Sequence, residues 1–313
     1  MVSDNSDGAA ESVGDRLAPG RHTAELDGVR HVYHVAGQGP VCVAHSGGPG
    51  IDPGYLRTPL LETGLTMVYL EPAGSGGSAL VPGGDYSMPR YAGFVRDLVD
   101  HLGLPKAHFL GHSHGGSVGL QFALDHAVRL DKLVVYDGVP TNGPDYVSAA
   151  TAGMERFLNR FPGRPRAREA HDAWHGMISG AQPIVDDKTY VDVLRRMLPA
   201  YFADFWNSTA DTAAFERAIG ATHDPHRRPS SFDVRDRLSS IDSPTLVLVG
   251  EHDFICGPDW AELIADEVPQ ASLHRLAASA HFAHLEQATE FAASVADFLL
   301  TSERTERQPQ WIK

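Results

Sequence analysis

Cysteine and positive charge are both scarce in this sequence, and each shortage limits what the chain can be. Two of its 313 residues are cysteine, and 26 lysines and arginines stand against 40 aspartates and glutamates, for a formal net charge of −14. Two cysteines cannot build a disulfide framework, so Cys42 and Cys256 are expected to be reduced thiols of a cytoplasmic protein. Nucleic acids and anionic membranes are bound by clustered lysine and arginine, so neither is an expected partner.

Long apolar runs are also missing. No run approaches the ~20 apolar residues that a membrane-spanning helix requires. The opening sequence MVSDNSDGAAESVGD is polar and acidic, without the basic and apolar regions of a signal peptide. We therefore expect a disordered leader at residues 1–18 and a frayed tail at residues 303–313.

The apolar segments that are present predict an α/β fold with a mostly parallel sheet. Short β-prone segments stand close together near the start of the chain and then alternate with segments of helical periodicity. This order indicates an antiparallel start followed by parallel strands with helical crossovers. Strands are predicted at residues 22–26, 31–35, 41–44, 66–70, 108–110, 132–136, 245–249 and 272–276. Helices are predicted at residues 90–102, 115–126, 258–267 and 282–300.

The strand pattern stops in the middle of the chain. We therefore predict a helical cap at residues 141–233, inserted into a core formed by residues 19–140 and 234–302. A cap closes over a site, excludes water and shapes an apolar pocket. Its aromatic clusters make Trp174, Phe205 and Trp206 the candidate substrate-binding residues, although many such aromatics simply pack a cap onto its core.

The motif Gly111-His112-Ser113-His114-Gly115 carries the clearest chemical signal. It fits G-x-S-x-G and lies between a predicted strand and a predicted helix. A serine on such a sharp turn is held above the sheet with its hydroxyl exposed. Ser113 is therefore the candidate nucleophile, whereas Cys256 lacks this context.

A serine nucleophile needs a base and an orienting acid, which follow here in the order Ser, Asp, His. Asp253 follows the buried strand at 245–249, and His281 follows the strand at 272–276. Asp137, directly after the strand at 132–136, is the alternative acid. His284, one turn into the last predicted helix, is the alternative base.

The segment His45-Ser46-Gly47-Gly48-Pro49-Gly50 predicts an oxyanion hole, because glycines let a backbone N–H point at developing negative charge. The expected donors are the backbone N–H groups of Gly48 and His114, with Gly47 as the next choice after Gly48.

The 17 histidines do not form a recognisable metal motif. His112 and His114 flank the nucleophile, where the turn directs their side chains apart. The remaining histidines of interest, in the predicted cap, are His171, His175, His223 and His226. A catalytic zinc site needs three convergent protein ligands, and Gly74, Gly76 and Gly77 lack the context of a phosphate-binding loop. We therefore predict no metal and no cofactor.

The combination of GHSHGG, SGGPG, GEHD and SAHFAHLE resembles the α/β-hydrolase superfamily, and within it the proline iminopeptidase-like branch. The similarity extends from about residue 21 to residue 300. It implies an α/β-hydrolase fold with an eight-stranded sheet, an inserted helical cap, and a triad of Ser113, Asp253 and His281.

Two departures separate the chain from that branch. Ser46 stands where the branch has the histidine of HGGPG, and EPAGSGGS at residues 71–78 replaces D-Q-R-G-x-G-x-S. The acidic cap residues that hold a substrate amine have only a loose match at Phe215-Glu216-Arg217. We therefore predict a serine hydrolase acting on a small ester, lactone or amide. The alternatives are a proline iminopeptidase, a non-hydrolytic cyclase and a ligand receptor. The sequence does not determine the oligomeric state.

Overall fold

A computed structural model describes residues 13–301 and has an eight-stranded sheet at its centre. The strands are β1 (Gly20–Leu26), β2 (Val29–Gly37), β3 (Val41–His45), β4 (Thr66–Glu71), β5 (Ala107–His112), β6 (Leu130–Tyr136), β7 (Thr245–Gly250) and β8 (Ala271–Leu276). Their order across the sheet is β1-β2-β4-β3-β5-β6-β7-β8. The pairs β1–β2 and β2–β4 are antiparallel, and the other five pairs are parallel. The predicted fold class is confirmed.

From β4 onwards the strands alternate with helices, except that four helices lie between β6 and β7. The helices are α1 (Val13–Arg16), α2 (Met88–His101), α3 (His114–Asp125), α4 (Pro144–Arg160), α5 (Pro165–Ile178), α6 (Asp187–Met197), α7 (Thr212–Ala218), α8 (Pro258–Glu267), α9 (Ala283–Glu286) and α10 (Ala288–Leu300). Within residues 13–301, no helix is both long and apolar enough to cross a membrane.

Alternate residues of each strand pack into two apolar clusters, as the period of two in a strand requires. In β7, Val247 and Val249 belong to the cluster that contains residues of α2, α3 and α8. Leu246 and Leu248 belong to the cluster that contains Phe291 and other residues of α10. The sheet is therefore buried on both faces. Functional side chains are expected in the loops at the carboxyl ends of the strands.

Two predicted boundaries are wrong. The leader was expected to be disordered through residue 18, but residues 13–16 form α1, and the Arg16 carbonyl accepts a hydrogen bond from the Tyr33 hydroxyl. Leu17 packs against the core, which explains why the chain is ordered there. The rest of the leader, residues 1–12, and the tail at 303–313 lie outside the described residues.

The second wrong boundary concerns the last helix, predicted to be continuous over residues 282–300. It is interrupted between α9 and α10 at Gln287, whose φ and ψ are −126° and 48°. The Gln287 side chain turns back and accepts hydrogen bonds from the Ala278 N–H and the Ser279 hydroxyl, both at 2.8 Å. A continuous helix would direct this side chain away from the loop that precedes α9.

Helices α4 to α7 lie between β6 and β7, inside the segment predicted to be a cap. They have an apolar cluster of their own, which includes Met154, Phe157 and Trp174. That cluster also contains Phe254, which belongs to the loop after β7. A Cβ atom on Gly153 of α4 would lie 2.1 Å from the Phe254 carbonyl oxygen, so glycine is required for this close approach.

Candidate active site

Ser113 occupies a strained turn between β5 and α3. Its φ and ψ are 56° and −118°, values that non-glycine residues rarely adopt. A Cβ atom on Gly115 would lie 2.2 Å from the carbonyl oxygen of His45, so the turn can approach β3 only because this residue is glycine. The structure thus places Ser113 at the carboxyl end of β5 in the geometry expected of a nucleophile elbow.

His281 and Asp253 are joined by a hydrogen bond of 2.7 Å between Nδ1 and Oδ2. Both residues are buried. The other carboxylate oxygen of Asp253 accepts the backbone N–H groups of Ile255 and Cys256 at 2.9 and 3.1 Å. These bonds fix the carboxylate, which in turn holds the His281 ring with Nε2 free for proton transfer.

Neither alternative residue takes the place of Asp253 or His281 in this hydrogen bond, although an Asp137 carboxylate oxygen lies within 4.8 Å of a His281 ring nitrogen. One Asp137 oxygen accepts the Gly250 N–H at 3.0 Å, and the other has no hydrogen-bond partner among the described residues. Burial, together with the neighbouring Asp253 carboxylate, raises the pKa of Asp137. His284 contacts the Tyr136 hydroxyl through Nδ1, and burial lowers its pKa to about 4. His284 is therefore a neutral, hydrogen-bonded core histidine.

Cys256 lies beside Ser113: both line one cavity, and the Ser113 hydroxyl lowers the pKa of the Cys256 thiol against the larger effect of burial. Among residues 13–301 no hydrogen bond joins Ser113 Oγ to the His281 ring. Burial raises the pKa of the Cys256 thiol, so this cysteine stays protonated and is a poor nucleophile. Nothing in the sequence pattern indicated that Cys256 would lie beside Ser113.

A chain of hydrogen bonds runs from the glycine loop after β3 to the backbone of His281. The Gly47 N–H donates to the Tyr55 hydroxyl at 2.6 Å, and that hydroxyl donates to His112 Nδ1 at 2.7 Å. His112 Nε2 donates to the His281 carbonyl oxygen at 2.8 Å. Burial lowers the pKa of His112, which keeps the ring neutral and able to accept and donate in this way. Sequence reasoning missed Tyr55.

Because the Gly47 N–H is occupied by Tyr55, it is not available to an oxyanion. The N–H groups of Gly48 and His114 have no hydrogen-bond partner in the described part of the chain. Gly48 has a φ of +135°, a conformation that favours glycine. Of the expected donors, Gly48 and His114 thus remain available, and both residues line cavities that contain Ser113.

A cavity of about 430 Å³ lies at Ser113 and His281. Its remaining walls are mainly apolar and include Ile51, Leu194, Leu198, Tyr201, Phe215 and Phe282. Several of these residues belong to the segment between β6 and β7 that was predicted to be a cap.

The three aromatic candidates for the pocket wall are wrong, because none lines this cavity. Trp174 packs edge-on against Phe254 and donates from Nε1 to the Thr151 hydroxyl at 3.1 Å. Trp206 packs against Phe161, with ring centroids 4.9 Å apart, and edge-on against Phe205. The inserted segment needs an apolar core of its own, and its largest side chains build that core.

Acidic groups are scarce around the cavity. Asp52 is the only acidic side chain among the described residues that line it, and its carboxylate caps a short helical turn by accepting the Gly54 N–H at 3.1 Å. Glu216, in the loose match to an amine-binding motif, forms a bidentate ion pair with Arg166 at 2.8 and 3.2 Å. The Glu216 carboxylate is therefore neutralised by Arg166, whereas Asp52 forms no ion pair with the described residues and keeps its charge at the cavity wall.

Metal-capable groups come together in the cap. Glu155, His171 and His175 have ligand atoms within 4.8 Å of one another, as do groups around His281. His171 and His175 are one helical turn apart and both contact Glu155 Oε1, at 2.8 and 3.2 Å. The sequence analysis noted both histidines but did not pair them with Glu155, which is on the preceding helix.

Comparison with known proteins agrees with this fold. Residues 40–288 match the model of the alpha/beta hydrolase fold family. The chain is 25% identical over 278 residues to 2-hydroxymuconate semialdehyde hydrolase of Pseudomonas putida, covering 87% of this chain and 91% of that protein. It is 26% identical over 272 residues to 2-hydroxy-6-oxo-6-phenylhexa-2,4-dienoate hydrolase of Comamonas testosteroni, covering 85% and 90%.

Solved structures show the same fold. The enol-lactonase of Burkholderia xenovorans LB400 aligns with a TM-score of 0.66 at 22% identity, over 90% of this chain and 100% of that one. The proline iminopeptidase of Mycobacterium smegmatis aligns with a TM-score of 0.65 at 21% identity, over 90% and 97%. With a family model that spans most of its length and relatives that are hydrolases, the chain belongs to the alpha/beta hydrolase fold family and is a hydrolase of that fold.

Proposed function

We propose that this protein is a serine hydrolase that cleaves a small ester, lactone or amide through Ser113, His281 and Asp253. The observation that carries the proposal is the buried 2.7 Å hydrogen bond between His281 and Asp253, at the wall of a cavity that also contains Ser113. A histidine fixed in this way by a carboxylate is the general base that a serine nucleophile requires.

In the first half of the reaction, the Ser113 hydroxyl forms a hydrogen bond with His281 Nε2. His281 accepts the hydroxyl proton as Ser113 Oγ attacks the substrate carbonyl carbon, and Asp253 stabilises the imidazolium that forms. His281 then returns the proton to the leaving group, and the acyl group remains on Ser113. In the second half, water gives a proton to His281 as its oxygen attacks the acyl carbon. The bond from that carbon to Ser113 Oγ then breaks, His281 returns the proton to Ser113 Oγ, and the acid is released.

The N–H groups of Gly48 and His114 would stabilise the oxyanion of the tetrahedral intermediates. Each such donor contributes about 3 kcal/mol to transition-state stabilisation. The Tyr55 hydroxyl supports this arrangement, since it holds Gly47 and thereby positions the next residue of the loop.

Release of N-terminal proline is less well supported. In the resembling branch acidic cap residues hold the substrate amine, whereas Glu216, the loose match here, is paired with Arg166; among the described residues that line the apolar cavity, only Asp52 offers a carboxylate. A ligand receptor is disfavoured as well, because ligand binding alone does not require a hydrogen-bonded Asp–His pair next to a serine on a strained turn.

The test compares wild type, Ser113→Ala and Ser294→Ala, the last being a serine on α10 away from the cavity. We expect wild type and Ser294→Ala to hydrolyse p-nitrophenyl butyrate and to react with a fluorophosphonate, and Ser113→Ala to do neither. Proline p-nitroanilide is assayed in parallel. Release of p-nitroaniline would favour an iminopeptidase, and unlabelled wild type would contradict any serine hydrolase.

A further inference from the structure

A second cavity adjoins the first at the candidate nucleophile. Its volume is about 480 Å³, and it shares Gly48, Ser113 and Tyr146 with the apolar cavity. It is also lined by His114 and by Arg227 and Arg228, which belong to the segment between α7 and β7. Ser113 therefore lies where an apolar cavity meets a second cavity that contains guanidinium groups.

Arg227 forms no direct ion pair with the described residues, although the chain has a large excess of acidic residues. Asp224, three residues earlier, is near enough for Arg227 to help lower the pKa of its carboxyl. Its oxygens are bonded to other groups: Oδ2 accepts the Tyr86 hydroxyl at 2.6 Å, and Oδ1 accepts the His226 N–H at 2.8 Å. The N–H groups of the Arg227 guanidinium are therefore not bound to a carboxylate and can pair directly with an incoming anion.

The Arg227 side chain is held in position by aromatic rings. Its guanidinium carbon lies 3.7 Å from the centre of the Tyr86 ring, and its charge acts on the neighbouring Tyr91 hydroxyl, whose pKa it lowers against the larger effect of burial. Tyr91 in turn packs edge-on against His114, with ring centroids 4.8 Å apart. Arg227 is therefore connected through one ring to the residue that follows the nucleophile. Stacking on an aromatic face leaves the edge of the guanidinium free to bind a carboxylate in the bidentate manner.

We propose that Arg227 binds a carboxylate of the substrate, so that the preferred substrates are anionic esters, lactones or amides. The proposal rests on the serine hydrolase function proposed above, because it places the carboxylate beside the bond that Ser113 attacks. The apolar cavity receives the rest of the substrate. The carboxylate belongs either to the acyl group or to the leaving group, and the experiment separates these two positions.

The test measures kcat/KM for pairs of esters that differ in charge. For the acyl position, mono-p-nitrophenyl adipate is compared with its neutral methyl ester. For the leaving-group position, 4-(butyryloxy)benzoate is compared with its methyl ester. We expect Arg227→Gln to lower kcat/KM for the anionic member of one pair by at least about tenfold, and to change the neutral member by less than about twofold.

Two controls make the result specific. Arg217→Gln removes the same charge from an exposed position of α7 and should leave both pairs unchanged. Arg227→Lys keeps the positive charge but lacks the planar guanidinium that binds a carboxylate through two N–H groups. It should therefore recover only part of the kcat/KM for the anionic ester. Retained turnover of the neutral esters shows that Arg227→Gln is folded.

Failure of this proposal is distinguishable from failure of the proposed function. Ser113-dependent turnover in which Arg227→Gln affects both members of each pair equally would overturn the carboxylate site and leave the hydrolase intact. If no ester is turned over, calorimetry of monomethyl adipate with Ser113→Ala decides. Loss of monomethyl adipate binding in the double variant Ser113→Ala/Arg227→Gln would support the carboxylate site. Binding that is retained in the double variant, or that is not observed with Ser113→Ala, would overturn it.

Discussion

Tyr55→Phe is the most informative single substitution, because it removes one oxygen atom from the centre of the active-site hydrogen bonds. That oxygen accepts the Gly47 N–H and donates to His112 Nδ1. Burial raises the pKa of Tyr55, so the hydroxyl is protonated and able to donate throughout the range of ordinary assays. Phenylalanine keeps the ring and its packing against Phe282 and His284.

The expected cost follows from the two partners left behind. A polar group deprived of its hydrogen bond in a buried site costs about 1–3 kcal/mol. Because the cavity admits water to one side of this hydroxyl, we expect the free energy of unfolding to fall by about 1–3 kcal/mol in total. Complete loss of an oxyanion donor lowers kcat by about 10²–10³-fold. Here Gly48 is displaced and not removed, so we expect kcat to fall by about 10- to 100-fold.

Tyr69→Phe is the matched control. The Tyr69 hydroxyl also accepts a backbone N–H, that of Thr58 at 3.1 Å, and donates to a side chain, Glu62, at 3.2 Å. Urea unfolding of Tyr69→Phe should show a loss of unfolding free energy similar to that of Tyr55→Phe, while its kcat for p-nitrophenyl butyrate should be unchanged. If Tyr55→Phe lowers kcat no more than Tyr69→Phe does, the hydroxyl does not position the oxyanion loop and the reasoning is wrong.

Three further predictions concern buried titratable groups. Asp253→Asn should lower kcat by about 10⁴-fold, because it removes the carboxylate that fixes the histidine tautomer, whereas Asp137→Asn should lower it far less; the reverse order in a steady-state assay would assign the acid to Asp137. Burial raises the pKa of Glu286 from 4.5 to about 7, so this residue favours the folded state at low pH, and that advantage is lost as pH rises from 4.5 to 7. Urea unfolding should show wild type losing about 2–3 kcal/mol more than Glu286→Gln between pH 4.5 and pH 8; parallel profiles would contradict this. Burial raises the pKa values of the Cys42 and Cys256 thiols, so the native protein should resist iodoacetamide at pH 8 and both cysteines should react in urea, as measured by mass spectrometry. Modification of native Cys256 would show that its thiol is neither buried nor protonated.

Local signals predicted the strands and the position of Ser113 well. The buried run at β7 and the turn residues around Ser113 determine their structure within a few residues of sequence, where periodicity and turn chemistry act. The order of the acid and the base could also be read from the chain, since both follow strands whose carboxyl ends meet at one edge of the sheet.

Contacts between distant segments could not be predicted in this way. Tyr55 and His112 are 57 positions apart in sequence, and no pattern near either residue reveals their hydrogen bond. The break at Gln287 depends on a side chain that bonds to a neighbouring loop, while the local periodicity favours a helix. The cap aromatics were misassigned for a related reason, because a buried tryptophan has the same sequence signal whether it lines a cavity or packs a core.

The position of Phe254 has a consequence for how substrates enter. This residue follows Asp253 directly, and its side chain is part of the apolar cluster of the cap. Movement of the inserted segment away from the sheet would therefore also displace Phe254, and with it the neighbouring Asp253, whose carboxylate is bonded to His281. We expect substrates to enter through movements of side chains or short loops at the rim. Exchanging the whole cap with that of a relative would alter the acid loop as well, so changes of specificity are better sought one wall residue at a time.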